Sequence, residues 1–378
     1  MWIAASALVV VAFLATIAQS YHPPYGFTSL IEFPQESHAT EIPAVRDTPH
    51  FEHPPPSGYD GQFYAQMAVE PLLRDPAIDG ALDNPAYRGR RILFSWTAYA
   101  LGLGKPAWIL QAYALQNVAA WLALAWILTR WIRPETARGF ALWTGCMLAH
   151  GLLVSVQFAL PDGASLLLIA AAVIAVEAGR PFVAALVLGL AGLARETNLL
   201  AADALARVER RSVRSWLILG VCLLICVLPL ALWIDYLRSI YRWRVLDSAD
   251  NINLPFWGLW WKIKMVASEF NGRPKMWSFG NAAAVLAFVA QGAWVIWAWL
   301  VRRDRSPWTL VAVAFFALGL ISHPVVWNGN PGAFTRVCLP LTIGANVVLA
   351  RWPEAPGWLI AVVNLSVLPG VFLMAEVW

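Results

Sequence analysis

The chain has 378 residues, of which 59% are hydrophobic and 13% are charged. Soluble domains carry about 25% charged residues, and the apolar residues here come in runs of about 20, long enough to cross a membrane. This composition excludes a soluble globular enzyme and predicts an all-α polytopic membrane protein. The net charge of +4 comes from short basic clusters between apolar runs, which is typical of membrane orientation, so no nucleic-acid partner is expected.

The first apolar run, within residues 1–20, has the length of a signal peptide but no Lys or Arg before it, so we interpret it as an uncleaved first transmembrane helix. Residues 21–90 form a large polar loop with ten of the 23 acidic residues and only four arginines. A loop with few basic residues is expected outside the cytoplasm. Its proline-rich part, 22–56, cannot be regular helix, and short helices are expected after it, over 62–73 and 85–102.

The remaining apolar runs predict a transmembrane bundle over 91–235, a second extracytoplasmic loop over 236–280 and further transmembrane helices over 281–378. We expect about nine to eleven crossings in total. By the positive-inside rule, the N-terminus and the basic clusters lie in the cytoplasm, and the two large loops lie on the opposite side. These clusters occupy residues 130–138, 207–214 and 302–305.

Two segments do not fit a simple series of spans. Residues 90–104 are too few for a comfortable crossing and predict a re-entrant segment. Residues 181–206 have basic residues next to both ends, so both ends are expected on the same side of the membrane. The charged pair Arg195-Glu196 lies between them. A hairpin of two half-spans would reconcile these features, because broken backbone is tolerated where it lines a protein cavity.

The most informative motif is Tyr59-Asp60-Gly61-Gln62-Phe63-Tyr64, in the part of the first loop that follows its prolines. The arginines at 88, 90 and 91 come later in the same region, where the positive-inside rule predicts few basic residues. A carboxylate such as Asp60 can take a proton from an attacking hydroxyl, and arginines can hold a departing phosphate. The alternatives are local: Asp60 could cap the helix that starts at Gln62, and the arginines could extend to the membrane surface.

Charged residues near apolar runs are further candidates. An unpaired charge inside the membrane costs about 2.5–3.5 kcal/mol, so Arg195-Glu196 predicts either a structural ion pair or a site that faces a cavity. Asp162, in Leu160-Pro161-Asp162-Gly163, predicts either a cap for the next helix or a second functional carboxylate. Arg336 is either a phosphate ligand or an interfacial anchor, and His323 is a candidate substrate contact.

Aromatic residues are abundant, and the 22 tryptophans fit interfacial anchoring. Residues 256–264 mix tryptophans with lysines, which predicts a helix lying in the membrane surface. The same helix could border the access route of a lipid-linked substrate.

Metal and nucleotide motifs are absent from the sequence. His50 and His53 have a spacing that would suit a metal on a helix, but Pro49 and the prolines at 54–56 argue against a helix there. No Walker loop, dinucleotide fingerprint or HExxH motif is present, so no nucleotide cofactor is expected.

With these motifs the sequence resembles the GT-C class of membrane glycosyltransferases, and it is most similar to bacterial members assigned to cell-surface glycopolymer formation. The resemblance implies a polyprenyl-phosphate-linked sugar as donor, a glycan or lipid as acceptor, and inversion at the anomeric carbon. It also implies a multi-pass protein of the bacterial inner membrane, surrounded by membrane lipids, with a periplasmic active site and Asp60 as the catalytic base. The segments that carry it are Tyr59–Tyr64, Asp83–Arg91, Leu160–Gly163 and Ala194–Thr197.

We therefore predict Asp60 and Asp162 as catalytic residues. The predicted substrate-binding residues are Tyr59, Gln62, Tyr64, Arg88, Arg90, Arg91, Arg195, Glu196, His323 and Arg336. No cofactor and no protein metal site are predicted, although a divalent ion that bridges Asp60 and phosphate stays open. Two other functions also stay open: a transporter or flippase of lipid-linked sugars, and a non-catalytic subunit for glycopolymer assembly.

Overall fold

The computed structural model describes residues 1–207, 212–241, 251–272 and 274–376. The protein is mostly helical, at 73%. Among the described residues, four helices are long and apolar enough to cross a membrane, and the number rises to six if each of two bent helix pairs is one span. The predicted helical architecture with several candidate membrane spans is confirmed, whereas the count of nine to eleven crossings stays a prediction.

The N-terminal part consists of one apolar helix followed by short elements. Helix α1 is mostly exposed, and the segment after it is anchored by buried side chains such as Ile31, Phe33 and Val45. Two 3₁₀ segments, Thr28–Ile31 and Gln35–Thr40, accompany a short parallel sheet. The elements are α1 (Trp2–Gln19), β1 (Phe33–Pro34), α2 (Pro43–Arg46), β2 (Glu52–His53), α3 (Gly61–Val69), α4 (Ile78–Ala81) and α5 (Pro85–Arg88).

The middle of the chain contains broken helices. Helices α8 and α9 bend by 44° relative to one another at Leu148-Ala149, so this apolar stretch consists of two helices. Helix α11 ends at Ala194 because Arg195 is extended, and a 3₁₀ segment, Glu196–Arg207, follows. The helices are α6 (Leu93–Leu101), α7 (Pro106–Ile127, continued by 3₁₀ turns to Arg130), α8 (Ala137–Met147), α9 (His150–Gln157), α10 (Pro161–Glu177), α11 (Pro181–Ala194) and α12 (Val213–Tyr241).

The C-terminal part packs a buried helix, α18, against α15, α14 and α8. The last two helices bend by 52° relative to one another. Arg210 and Arg211 of the predicted second basic cluster lie outside the described residues. The helices are α13 (Trp257–Asn271), α14 (Met276–Leu300), α15 (Pro307–Ile321), α16 (Pro324–Trp327), α17 (Phe334–Val337), α18 (Leu339–Ala350), α19 (Gly357–Val363) and α20 (Val367–Glu376).

The predicted surface helix over 256–264 corresponds to α13, which has two different sides. Trp257 and Trp260 are exposed and stack on each other, as expected of an interfacial face. Lys262 is fully buried instead, and its Nζ donates to the carbonyl oxygen of Gly329 at 2.8 Å and to Asn281 Oδ1 at 3.2 Å. Lys262 therefore holds the loop before α17 and is not a surface anchor.

Candidate active site

A cavity of about 930 Å³ lies where the start of α3, the end of α11 and the segment around α16 and α17 meet. Its lining contains a charged set of residues, here called the charged wall, and an apolar set, here called the apolar wall, which includes Val154, Phe158 and Leu318. This combination suits a ligand that has both an anionic group and an apolar part. The charged wall contains five arginines and two acidic residues: Arg88, Arg90, Arg91, Arg195, Arg336, Asp60 and Glu196.

Asp60 lies at the N-terminal end of α3 but does not cap it, because its side chain makes no capping hydrogen bond. Its Oδ1 instead accepts a hydrogen bond from Arg88 Nη2 at 2.9 Å. Burial disfavours the charged carboxylate, but the charges of Arg88 and Arg336 outweigh this effect and hold the pKa of Asp60 below its ordinary value. Asp60 is therefore ionised at neutral pH, and the capping alternative is wrong.

Arg88 joins two carboxylates. It donates from Nε and Nη2 to Asp83 at 2.9 and 2.7 Å, and from Nη2 to Asp60. Burial opposes its charge, but Asp83 and Asp60 outweigh that and raise the pKa of Arg88 above its ordinary value. Because the residue is buried between these partners, the alternative that it extends to the membrane surface is wrong.

Arg91 forms a second buried pair. Its Nη2 and Nε donate to the Glu196 carboxylate at 2.8 and 3.0 Å, and its Nη1 donates to the Tyr64 hydroxyl at 3.1 Å. Tyr64 lies behind the cavity wall, so its predicted substrate contact is corrected to support of Arg91. The guanidinium carbons of Arg88, Arg90 and Arg91 lie 5.6, 5.8 and 4.8 Å from the centre of the Tyr87 ring.

Asp162 anchors two further arginines of the cavity, Arg195 and Arg336. It forms an ion pair with Arg195, and its Oδ2 accepts from Arg336 Nη1 at 3.2 Å. Its side chain is 2% exposed and does not line the cavity, so the predicted role as a second catalytic carboxylate is corrected to positioning of arginines. It does not cap α10 with a side-chain hydrogen bond either.

The neighbours Arg195 and Glu196 each form an ion pair with a distant residue, Arg195 with Asp162 and Glu196 with Arg91. Both also line the cavity. The two sequence alternatives, an ion pair and a cavity-facing site, are therefore both realised, but with partners from distant parts of the chain.

The remaining predicted residues divide between cavity and support. Arg336 Nη2 donates to the Tyr59 hydroxyl at 3.2 Å, and Gln62 accepts from Ser37 Oγ at 3.1 Å while lining the cavity. The predicted substrate contact of His323 is wrong, because this residue does not line the cavity. Its Nδ1 instead accepts a hydrogen bond from the backbone N–H of Val325 at 3.2 Å and so caps α16.

Sequence reasoning missed several lining residues that come from loops without a motif. Asn251, Asn328 and Asn330 are the polar ones, and a further lining residue, Trp277, lies at the start of α14. The run Asn328-Gly329-Asn330 is ordinary turn composition, so its only signal was its polarity between two apolar runs.

We expect Gly61→Ala to displace Asp60 and to destabilise the protein. A Cβ at Gly61 would lie 2.2 Å from the backbone oxygen of Phe158, and neither backbone segment can give way cheaply. Overpacking of this kind costs about 1–3 kcal/mol. The measurement is the thermal midpoint of unfolding in detergent.

The control for this substitution is Gly80→Ala on α4, where a Cβ would meet no atom within 4 Å. This variant should unfold at the wild-type temperature or slightly above it, because alanine favours helix more than glycine does. Equal stability of the two variants would show that the contact between α3 and Phe158 is not tight.

No family model, no curated protein and no solved structure matches the chain. The geometry of the cavity and the sequence motifs therefore carry the assignment of its function. Together they describe a helical protein with candidate membrane spans and a cationic cavity that has an apolar wall.

Proposed function

We propose that the protein is a membrane glycosyltransferase that moves a sugar from a polyprenyl-phosphate donor to a glycan or glycolipid acceptor. One observation carries the proposal: Asp60 shares its cavity with five arginines and an apolar wall. The arginines suit a phosphate, the apolar wall suits the start of a lipid chain, and the carboxylate suits a hydroxyl that must lose a proton. The protein would lie in the bacterial inner membrane, with its N-terminus in the cytoplasm and the cavity facing the periplasm.

In the proposed reaction, Asp60 accepts the proton of the acceptor hydroxyl as its oxygen attacks the anomeric carbon. The bond between that carbon and the phosphate oxygen breaks, and the electron pair leaves with the polyprenyl phosphate. The leaving phosphate gains negative charge, which Arg88, Arg91 and Arg336 would stabilise. Attack opposite the leaving group inverts the anomeric configuration.

The pair between Asp60 and Arg88 would couple donor binding to base strength. In the free protein Arg88 and Arg336 lower the pKa of Asp60, which makes the carboxylate a weaker base. A phosphate that binds these arginines neutralises part of their charge and adds its own negative charge nearby. The pKa of Asp60 then rises, so the base is strengthened when the donor is in place.

The experiment is a panel of donors offered to the purified chain in lipid nanodiscs, with a hydroxyl acceptor present. The probes are polyprenyl-phosphate pentoses and hexoses, a polyprenyl phosphate without sugar, and a nucleotide sugar. Binding is followed by tryptophan fluorescence and turnover by release of polyprenyl phosphate.

We expect the lipid-linked sugars to bind and at least one to be consumed, and the nucleotide sugar to do neither. If no lipid-linked sugar binds, the assignment of the cavity is wrong. If the donors bind but none is consumed with any acceptor, the result favours a flippase or an assembly subunit over a transferase.

A further inference from the structure

Four side chains with metal-binding atoms meet at the start of the chain, away from the cavity. They come from the 3₁₀ segment Gln35–Thr40, from the residue after it, from the loop before β2 and from β2 itself: His38, Glu41, His50 and Glu52. The potential ligand atoms of His38, His50 and Glu52 all lie within 4.8 Å of one another. None of the four residues lines the cavity described above.

The two innermost side chains have polar atoms without a hydrogen-bond partner. The side chain of Glu41 has no exposed surface and that of His50 is 2% exposed. The two Glu41 oxygens, His50 Nε2 and His38 Nδ1 make no hydrogen bond of ordinary geometry, and their contacts are ion-pairing distances within the cluster itself. A buried carboxylate without hydrogen bonds is costly, so these atoms call for a cation between them.

The orientation of the His50 ring also indicates a cation between His50 and Glu41. Its Nδ1 lies 2.8 Å from the backbone oxygen of Thr48, which can only accept, so Nδ1 carries the hydrogen. In neutral His50 the Nε2 atom then presents a lone pair to Glu41 Oε1, 3.4 Å away. Two lone pairs repel unless a cation lies between them. A backbone carbonyl that orients the far nitrogen is also the usual support of a metal-ligating histidine.

We propose that His38, His50, Glu52 and Glu41 bind one divalent metal ion, with Zn²⁺ as the best match. Zn²⁺ takes imidazole nitrogen and carboxylate oxygen at about 2.0–2.2 Å in a tetrahedral arrangement, so its ligand atoms lie about 3.3 Å apart. The distances from His50 Nε2 to Glu41 and Glu52 are 3.4 and 3.9 Å, and that from His38 Nδ1 to Glu41 is 3.8 Å. His38 Nδ1 and Glu52 Oε1, at 2.6 Å, would separate to admit the ion.

The site would stabilise the segment that holds α3. Ser37, beside His38, donates to Gln62 Oε1 at 3.1 Å, and the backbone N–H of Ile42, beside Glu41, donates to Gln66 Oε1 at 2.9 Å. Gln62 and Gln66 both belong to α3. The inferred role is therefore structural, with four protein ligands and no open position for chemistry.

The test uses the full chain, purified, freed of metal with a chelator and titrated with ZnCl₂ in a calorimeter. We expect one ion per chain and a higher unfolding temperature in its presence. His38→Gln removes a half-exposed ligand and should weaken the affinity at least about tenfold, because loss of even an outer-shell partner of a metal ligand typically costs about 10–100-fold. The matched control is His53→Gln on β2, whose ring nitrogen contacts the backbone oxygen of Ser29 at 2.8 Å, and its affinity should equal that of wild type.

Two results would overturn the proposal: no saturable uptake of Zn²⁺ by the wild-type chain, or equal affinity in wild type and His38→Gln. In either case a proton shared by His50 and Glu41 is the cation. If His38→Gln does not fold, the visible absorption spectrum of the wild-type chain loaded with Co²⁺ tests the site instead. Co²⁺ in a tetrahedral protein site gives intense visible absorption bands, whereas the hydrated ion does not. Absence of those bands refutes the site.

Discussion

Asp60→Asn is expected to lower sugar transfer by about 10²–10⁴-fold, the usual contribution of a general base. The amide keeps the size of the side chain but cannot accept the proton of the acceptor hydroxyl. Donor binding should be unchanged or tighter, because the substitution removes an anion that competes with phosphate for Arg88. The turnover rate and the donor dissociation constant are measured separately, on nanodisc preparations of equal protein content.

Stability should change little in this variant, because Arg88 keeps its paired hydrogen bonds with Asp83. The matched control is Asp79→Asn, an exposed carboxylate on α4 that does not line the cavity, and its transfer rate should equal that of wild type. Wild-type transfer by Asp60→Asn would exclude Asp60 as the base. Full export of glycan in cells that carry this variant would point to a flippase or an assembly subunit.

The proximity of Asp60 and Arg88 could be predicted because both lie in one polar region between apolar runs. A polar region between apolar runs must fold over the membrane surface, so its charged side chains are expected to lie close to one another. The individual hydrogen-bond partners of Arg88 could not be predicted. Nothing in the sequence indicates that Arg88 binds Asp83 and Asp60 together, since this depends on the turn that Asn84 and Pro85 impose before α5.

The pairing of Arg195 with Asp162 could not be predicted from the sequence. The two residues lie on different elements, and their contact depends on how α10 packs against α11 and the 3₁₀ segment after it. The break at Leu148-Ala149 was equally hidden, because no proline marks it. It follows from tertiary contacts, among them the bond from the His150 backbone N–H to the oxygen of Ser366 at 3.1 Å.

The histidine cluster shows how a spacing rule misleads. His50 and His53 were compared with ligands on a helix, but β2 is extended, and His53 contacts Ser29 instead. The residues that meet His50 are His38, Glu41 and Glu52, two of them on a 3₁₀ segment and the residue after it. Such a set is assembled by the parallel pairing of β1 with β2 and not by any sequence period.

Asp162→Asn is expected to destabilise the protein by about 3–5 kcal/mol, the typical effect of removing one partner of a buried ion pair. The variant leaves Arg195 and Arg336 without their shared carboxylate in a site where that carboxylate is 2% exposed. The measurement is the free energy of unfolding in mixed detergent micelles. The control is Glu354→Gln, which removes a 61% exposed partner of Arg302 and should cost no more than about 1 kcal/mol.

A double variant separates charge from shape in this result. If the loss arises from an uncompensated buried cation, adding Arg195→Met to Asp162→Asn should recover part of the stability, because one of the two unpaired charges is gone. If the loss arises from the altered shape of the Asp162 site, the two substitutions should simply add. Recovery would therefore assign the loss to the unpaired charge of Arg195.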